Sequence, residues 1–235
     1  MNDWSDCVYA IGVGIYRGLH TKKKTQHANF KYNEYDYEGI HLVCSVCGTG
    51  KVSAAVCTQL MIEYFNPSLI INIGTAGSIS KEVHNKDIII AIDSVQHDFD
   101  ISPFGWQKGE LPELGIISLP CDERFLSAAE QIDKMGYRIH FGRILSGDKV
   151  IVDQNVKTEL TDAFGGLCAE MEGAAVGQVC AMNNIPYAII RGISDGDSDD
   201  QKNEFISNIE SVAEINGHVL LATLKIYSED CKTCL

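Results

Sequence analysis

Ala169-Glu170-Met171-Glu172-Gly173-Ala174-Ala175 and, further on, Arg191-Gly192-Ile193-Ser194-Asp195 carry the reading of this chain. They put two acids, Glu172 and Asp195, at the ends of two apolar segments about 23 residues apart. An unpaired buried charge costs several kcal/mol or more, so carboxylates in such surroundings call for a partner or a function. The C-terminal edge of a parallel sheet is where α/β proteins hold their ligands. Segments 8–15, 41–46, 69–73, 87–93, 138–145 and 187–193 read as buried strands by length and β-branched content.

Between them lie helical patterns. The stretch 51–64 carries apolar residues at Val52, Ala55, Val56, Leu60 and Met61, with Pro67 beyond its end. The stretch 123–135 is amphipathic and stops at Gly136. The stretch 171–182 is rich in small residues, and 203–226 aligns Phe205, Ile209, Val212 and Ile215 on one face. This alternation argues for a largely parallel or mixed sheet covered by helices, in one α/β domain over residues 1–235. The longest stretch without periodicity, 98–121, carries Phe99, Phe104 and Trp106. Long loops in compact domains are often functional.

Composition narrows the partners. The chain has 235 residues, 45% hydrophobic and 22% charged, a soluble globular profile with a sizeable core. Its formal net charge of −13 repels nucleic-acid phosphate and anionic lipid. The basic run Lys22-Lys23-Lys24 reads as a solvated loop. No signal peptide and no membrane span is legible, so the nine cysteines read as reduced cytosolic thiols. Cys44 and Cys47 form a CxxC pair on a strand candidate, where residues three apart point to opposite faces, which is poor geometry for one metal. Cys231 and Cys234, at the C-terminal end, form a second such pair.

Gly74-Thr75-Ala76-Gly77 follows the strand at 69–73. Its glycines suit either a close backbone approach to a ligand or a plain turn. It is not the dinucleotide fingerprint, and Cys47-Gly48-Thr49-Gly50-Lys51 lacks the phosphate-loop spacing, because Val52 follows the lysine. Taken singly, Glu172 and Asp195 could be a helix N-terminal acid and a strand-end cap. Phe205 could be an ordinary core aromatic, Arg191 half of an internal ion pair, and His97 part of a loop.

An ordered set of motifs favours a functional reading of Glu172 and Asp195 and leaves the ion pair and the loop as the readings of Arg191 and His97. Cys47-Gly48-Thr49-Gly50-Lys51-Val52, Asn72-Ile73-Gly74-Thr75-Ala76-Gly77, His97-Asp98, Pro103-Phe104-Gly105, Ser146-Gly147-Asp148, Ala169-Glu170-Met171-Glu172 and Arg191-Gly192-Ile193-Ser194-Asp195 occur in turn. Together they resemble the 5′-methylthioadenosine/S-adenosylhomocysteine nucleosidases of the purine nucleoside phosphorylase superfamily. The resemblance implies a three-layer α/β/α sandwich with a central mixed sheet, usually a homodimer, and no metal or organic cofactor. It implies hydrolysis of the N-glycosidic bond between ribose and purine. By motif position Asp195 is the acid that protonates the departing purine at N7, oriented by Ser194. Glu172 binds the ribose hydroxyls and Met171 packs on the sugar. Thr75 belongs near the base or sugar, and Thr49 is a further substrate-binding residue. Val150 and Ile151 bracket the base, with Val150 where the family has an aromatic. Phe205 is the lid aromatic. Ile101 and Phe104 match the apolar pocket for the 5′ substituent, Phe104 from a neighbouring subunit.

One feature departs from the family. The nucleosidases carry a water-activating Glu soon after the first strand, whereas no Asp or Glu occurs here from Cys7 to Asn33, and Arg17 stands roughly in its place. Glu34 or Glu38 could substitute in a hydrolase. Arg17 could bind phosphate in a phosphorylase, although Asn72 replaces an arginine of that branch. A nucleoside-binding protein with weak turnover is the third alternative.

Overall fold

The computed structural model describes residues 7–12, 20–134, 136–196 and 200–233, with backbone alone at 7–12, 201 and 230–233. The elements run β1 Cys7–Gly12, β2 Lys23–His27, β3 Phe30–Tyr37, β4 Ile40–Ser45, α1 Lys51–Phe65, β5 Leu69–Ser78, β6 Ile88–Gln96, β7 Ser118–Pro120, α2 Glu123–Glu130, β8 Ile139–Ser146, α3 Gln154–Phe164, β9 Cys168–Glu170, α4 Gly173–Asn183, β10 Tyr187–Asp195 and α5 Gln201–Thr233. All strands join one mixed sheet. β5 pairs with β10, β10 with β6, β6 with β8, β8 with β9, and β9 returns to β5. The closed circuit is extended from β5 through β1, β4, β3 and β2.

Side-chain alternation sends the central strands' residues into two clusters, one on each face of the sheet, beside a smaller third around Val95, Leu145 and Phe164. Ile70, Ile89 and Ile189 join Ala54, Cys57, Met61, Val176 and Cys180 of α1 and α4 on one face. Their neighbours Ile71, Ile90 and Ile190 join Phe125, Ala128, Val219 and Leu224 of α2 and α5 on the other. Consecutive apolar residues therefore bury on opposite faces, which is why these strands read as continuous hydrophobic runs. The expected α/β/α layering with a mixed central sheet is the observed one. Cys44 and Cys47 fall in opposite clusters, as their odd spacing requires. The second pair, Cys231 and Cys234, lies outside the residues described with side chains.

Several boundaries differ from expectation. Lys23 and Lys24 open β2 rather than a loop, and Lys22 and Lys23 pair with Asp36 and Glu34 of β3. β2 and β3 form an edge hairpin with few buried apolar residues, so a search for buried runs passes over them; edge lysines of this kind also block strand addition. Glu38 and Gly39, both at positive φ, make the tight turn into β4. α3 was not expected either, although its signals are present. Asp153 caps the N–H groups of Asn155 and Val156, and Gly165 ends the helix at φ 71°. α2 stops at Glu130, short of 135. The 98–121 stretch holds a 3-10 turn at Ser102–Phe104 and the short strand β7.

Candidate active site

A cavity of about 590 Å³ opens where the parallel strands end. Its walls are the segment after β4 (Val46 to Thr49), the end of β5 (Asn72 to Gly77), the loop after β8 (Lys149 to Val152), β9 with Met171 and Glu172, the end of β10, and one face of α5. Each wall leaves the sheet at a C-terminal strand edge, so distant sequence segments converge.

Glu172 occupies the N-cap position of α4 but makes no side-chain cap. Its Oε1 accepts instead from the N–H of Gly50 at 2.9 Å. The helix N-terminus is served by Glu170, whose carboxylate accepts from Glu172 N–H at 3.1 Å and Gly173 N–H at 2.8 Å. Glu170 also accepts from the Ser146 hydroxyl and pairs with the Arg191 guanidinium, which in turn donates to Asn72 Oδ1. The backbone N–H of Ala174 donates to Ser146 Oγ at 2.7 Å. Arg191 is fully enclosed, and its Nη2 lies 3.9 Å from Glu172 Oε2.

These contacts set different protonation tendencies on two acids two residues apart. Burial acts to raise the pKa of Glu170, but Arg191, Ser146 and the Gly173 N–H outweigh it and hold the carboxyl below its ordinary value. Glu172 goes the other way: burial and the Glu170 charge raise it, only partly offset by Arg191 and the Gly50 N–H. Burial likewise raises Asp195, against the opposing pull of its 2.7 Å hydrogen bond from Ser194 Oγ and of Lys157. Burial also pushes the Cys47 thiol up to about 12, so the cysteine in the cavity wall stays protonated and is a poor nucleophile.

The cavity collects most of the residues expected of it. Thr49, Thr75, Val150, Ile151, Met171, Glu172, Ser194, Asp195 and Phe205 all line it. Val150 is two-thirds exposed and Phe205 stands at the rim. Ile101 and Phe104 do not line it; they belong to the 3-10 turn beyond β6, where Phe104 is 84% exposed on its own chain. Arg17 lies outside the described residues. Glu34 faces His41 and Lys23, and Glu38 sits near Lys225, so neither reaches the cavity. His97 is buried, and burial lowers its pKa; its ring packs on Gly147 rather than in the cavity.

Three groups escaped the reading of the sequence. Glu170 needed the fold, although a lone Arg191 inside an apolar strand already demands a carboxylate partner. Asn216 of α5 lines the cavity and donates to the Gly74 carbonyl at 2.8 Å. A brace joins two loops: Lys51 Nζ bonds Asp98 at 2.5 Å, Asp98 accepts from the Asp148 N–H at 2.8 Å, and Asp148 accepts from the Lys51 N–H at 2.8 Å. It ties the Gly50 wall to the loop that carries Val150.

Fold and cavity together define a small-molecule α/β enzyme of nucleoside phosphorylase type. The profile of the phosphorylase superfamily matches residues 15–225. The chain is 32% identical to the 5′-methylthioadenosine/S-adenosylhomocysteine nucleosidase of Geobacillus thermodenitrificans over 224 residues, covering 94% of each. It is 35% identical to the Staphylococcus haemolyticus nucleosidase of the same name over 187 residues, 76% of this chain and 80% of that one. Among solved structures, the Neisseria meningitidis nucleosidase in complex with methylthio-immucillin-A superposes with TM-score 0.89 at 26% identity, over 94% of this chain and 99% of that one. Helicobacter pylori futalosine hydrolase superposes with TM-score 0.88 at 25% identity, over 94% and 98%. The chain belongs to the phosphorylase superfamily and, within it, to the 5′-methylthioadenosine/S-adenosylhomocysteine nucleosidase family.

Proposed function

We propose that this chain hydrolyses the N-glycosidic bond of 5′-methylthioadenosine and S-adenosylhomocysteine, releasing adenine and the thioribose product. The observation that carries the reading is the convergence of Asp195 and Glu172 on one cavity from two strand ends, each with a pKa raised by burial. Asp195 is the acid. A carboxyl held above its ordinary value keeps its proton closer to neutral pH and can pass it to the purine as the bond breaks. Ser194 orients it. Glu172, anchored on Gly50, holds the ribose hydroxyls and places negative charge beside the developing ribosyl cation. Met171 supports the sugar, Thr75 and Thr49 offer hydroxyls, Val150 and Ile151 flank the base, and Phe205 covers it.

Water is the nucleophile in this reading. Asn72 stands where the phosphorylases carry an arginine, and its side-chain oxygen is engaged by Arg191, which leaves that anion clamp absent. A strongly dissociative transition state asks little activation of the water. We further propose that the enzyme works as a homodimer, in which the exposed Phe104 and the half-buried Ile101 complete the 5′ pocket of the partner. Its compartment is the reducing cytoplasm, in keeping with six free, buried cysteines among the described residues.

The test is to incubate the purified protein with methylthioadenosine, S-adenosylhomocysteine, adenosine and inosine, with and without phosphate. Adenine release from the two thio-substrates at a phosphate-independent rate is expected. Ribose 1-phosphate products would overturn the hydrolase reading, and tight nucleoside binding without base release would overturn the enzyme reading.

A further inference from the structure

Glu204 lies near the start of α5, one residue before Phe205, and no motif of the sequence singled it out. Its two oxygens are both engaged. Oε2 accepts from the N–H of Gly196 at 3.0 Å, and Oε1 accepts from Asn85 Nδ2 at 3.0 Å. Acceptance on both oxygens is the pattern of an ionised carboxylate. Gly196 is the residue immediately after Asp195, at φ 122°, and a Cβ there would fall 2.9 Å from the Ser78 carbonyl oxygen. The backbone following the acid is thus pinned on one side by β5 and on the other by Glu204. On the β5 side, a Cβ on Gly77 would stand 3.0 Å from Asp195 Oδ2, so the acid lies directly against that strand.

Resting on the reading of Asp195 as the acid, we propose that Glu204 is a positioning residue of the reaction: it fixes the turn after Asp195 and sets a negative charge beside that carboxyl. The charge has a chemical consequence. A neighbouring anion disfavours ionisation, so Glu204 adds to burial in raising the pKa of Asp195, against the Ser194 hydroxyl and Lys157 of α3. Lys202, also on α5, lines the same cavity. Glu204 and Phe205 are adjacent on α5, so the carboxylate that holds the turn after Asp195 and the aromatic that lines the cavity share one element. Asn85, between β5 and β6, holds Glu204 from outside the cavity and fixes where its charge sits.

The experiment compares pH profiles of adenine release from methylthioadenosine for the full chain and for Glu204→Gln, Glu204→Asp, Asn85→Ala and Asp195→Asn. A general acid works protonated, so turnover falls as pH rises through its pKa. Glu204→Gln keeps an acceptor but removes the charge. Its alkaline limb is expected to move to lower pH by roughly half a unit to one unit, an extra loss of about three- to tenfold on the alkaline side that is absent on the acid side. Glu204→Asp, which keeps the charge, is expected to restore much of the limb. Asn85→Ala is expected to shift it in the same direction by less, and it carries the test if Glu204→Gln does not fold. A loss in Glu204→Gln that is equal at all pH values, or an unmoved limb in Asn85→Ala, overturns the proposal while leaving Asp195 as the acid. Wild-type turnover in Asp195→Asn overturns the acid reading itself, and the proposal with it.

Discussion

Replacing Arg191 with methionine tests the buried ion pair beneath the cavity. Methionine approximates the length of the arginine stem and removes its charge. In the native protein the guanidinium pairs with Glu170 and donates to Asn72. The variant strands the Glu170 carboxylate with only the Ser146 hydroxyl and the N–H groups of Glu172 and Gly173. Breaking a buried pair by deleting one partner costs about 3–5 kcal/mol. For a domain of this size that is a fall in Tm of roughly 6–20 °C. The double variant Glu170→Gln/Arg191→Met leaves no unpaired charge and is expected to recover at least half of the loss, because replacing both members of a buried pair is often close to neutral. The penalty also depends on pH. Glu170 is held below its ordinary value in the folded state, so the unfolded chain binds more protons there. The stabilisation is present above the unfolded pKa and is lost as pH falls through the folded one. The gap between wild type and Arg191→Met should therefore narrow in acid. Urea denaturation at several pH values reads all three quantities. A loss below about 1 kcal/mol at neutral pH, or a double variant no better than the single one, would refute the reasoning.

Asp195→Asn is expected to lower turnover by roughly 10²–10⁴-fold, the usual worth of a general acid, with substrate binding largely retained. Its stability moves oppositely: the folded pKa of Asp195 is raised, so the wild type loses stability as pH rises from the unfolded pKa through the folded one, and the Asn variant should melt no lower at neutral pH. Calorimetry showing a large fall in Tm would count against burial as the cause of the shift. Glu172→Gln should cost on the order of 10²-fold in kcat/KM through lost electrostatic stabilisation, and unchanged kinetics would remove it from the site. Gly50→Ala is expected to cost about 1–3 kcal/mol and to weaken catalysis, since Gly50 has φ 92° and an added Cβ would lie 3.0 Å from Asp148 Oδ1. An unchanged urea midpoint and kcat/KM would show that the contact between Gly50 and Glu172 is dispensable.

The buried strands were legible because burial on both faces leaves uninterrupted apolar runs such as Leu69 to Ile73. The hairpin β2–β3 was not, because an edge needs few apolar residues and carries lysines, Lys23 and Lys24, in exposed positions. The short strand β9 was hidden for another reason: three residues carry no periodicity, and only pairing with β5 and β8 makes them a strand. In the site, Asp195, Glu172 and the small residues of the β5 end could be named from ordered motifs. The pairing that supports them could not, since Asn72, Ser146, Glu170 and Arg191 come from four strands and meet only when the sheet closes.

The sequence by itself determined the alternation of strand and helix, the family, and the ordered motifs that hold Glu172 and Asp195, because these depend on local periodicity and on residues kept in order along the chain. Only the tertiary structure decided what each acid of the first motif contacts. Glu170 pairs with Arg191 and caps α4, while Glu172, two residues later, is freed from that task and lines the cavity, held by the Gly50 N–H. The two acids are nearly identical as sequence; what separates them is the distance to a guanidinium and to the helix N–H groups, which only the packed sheet specifies.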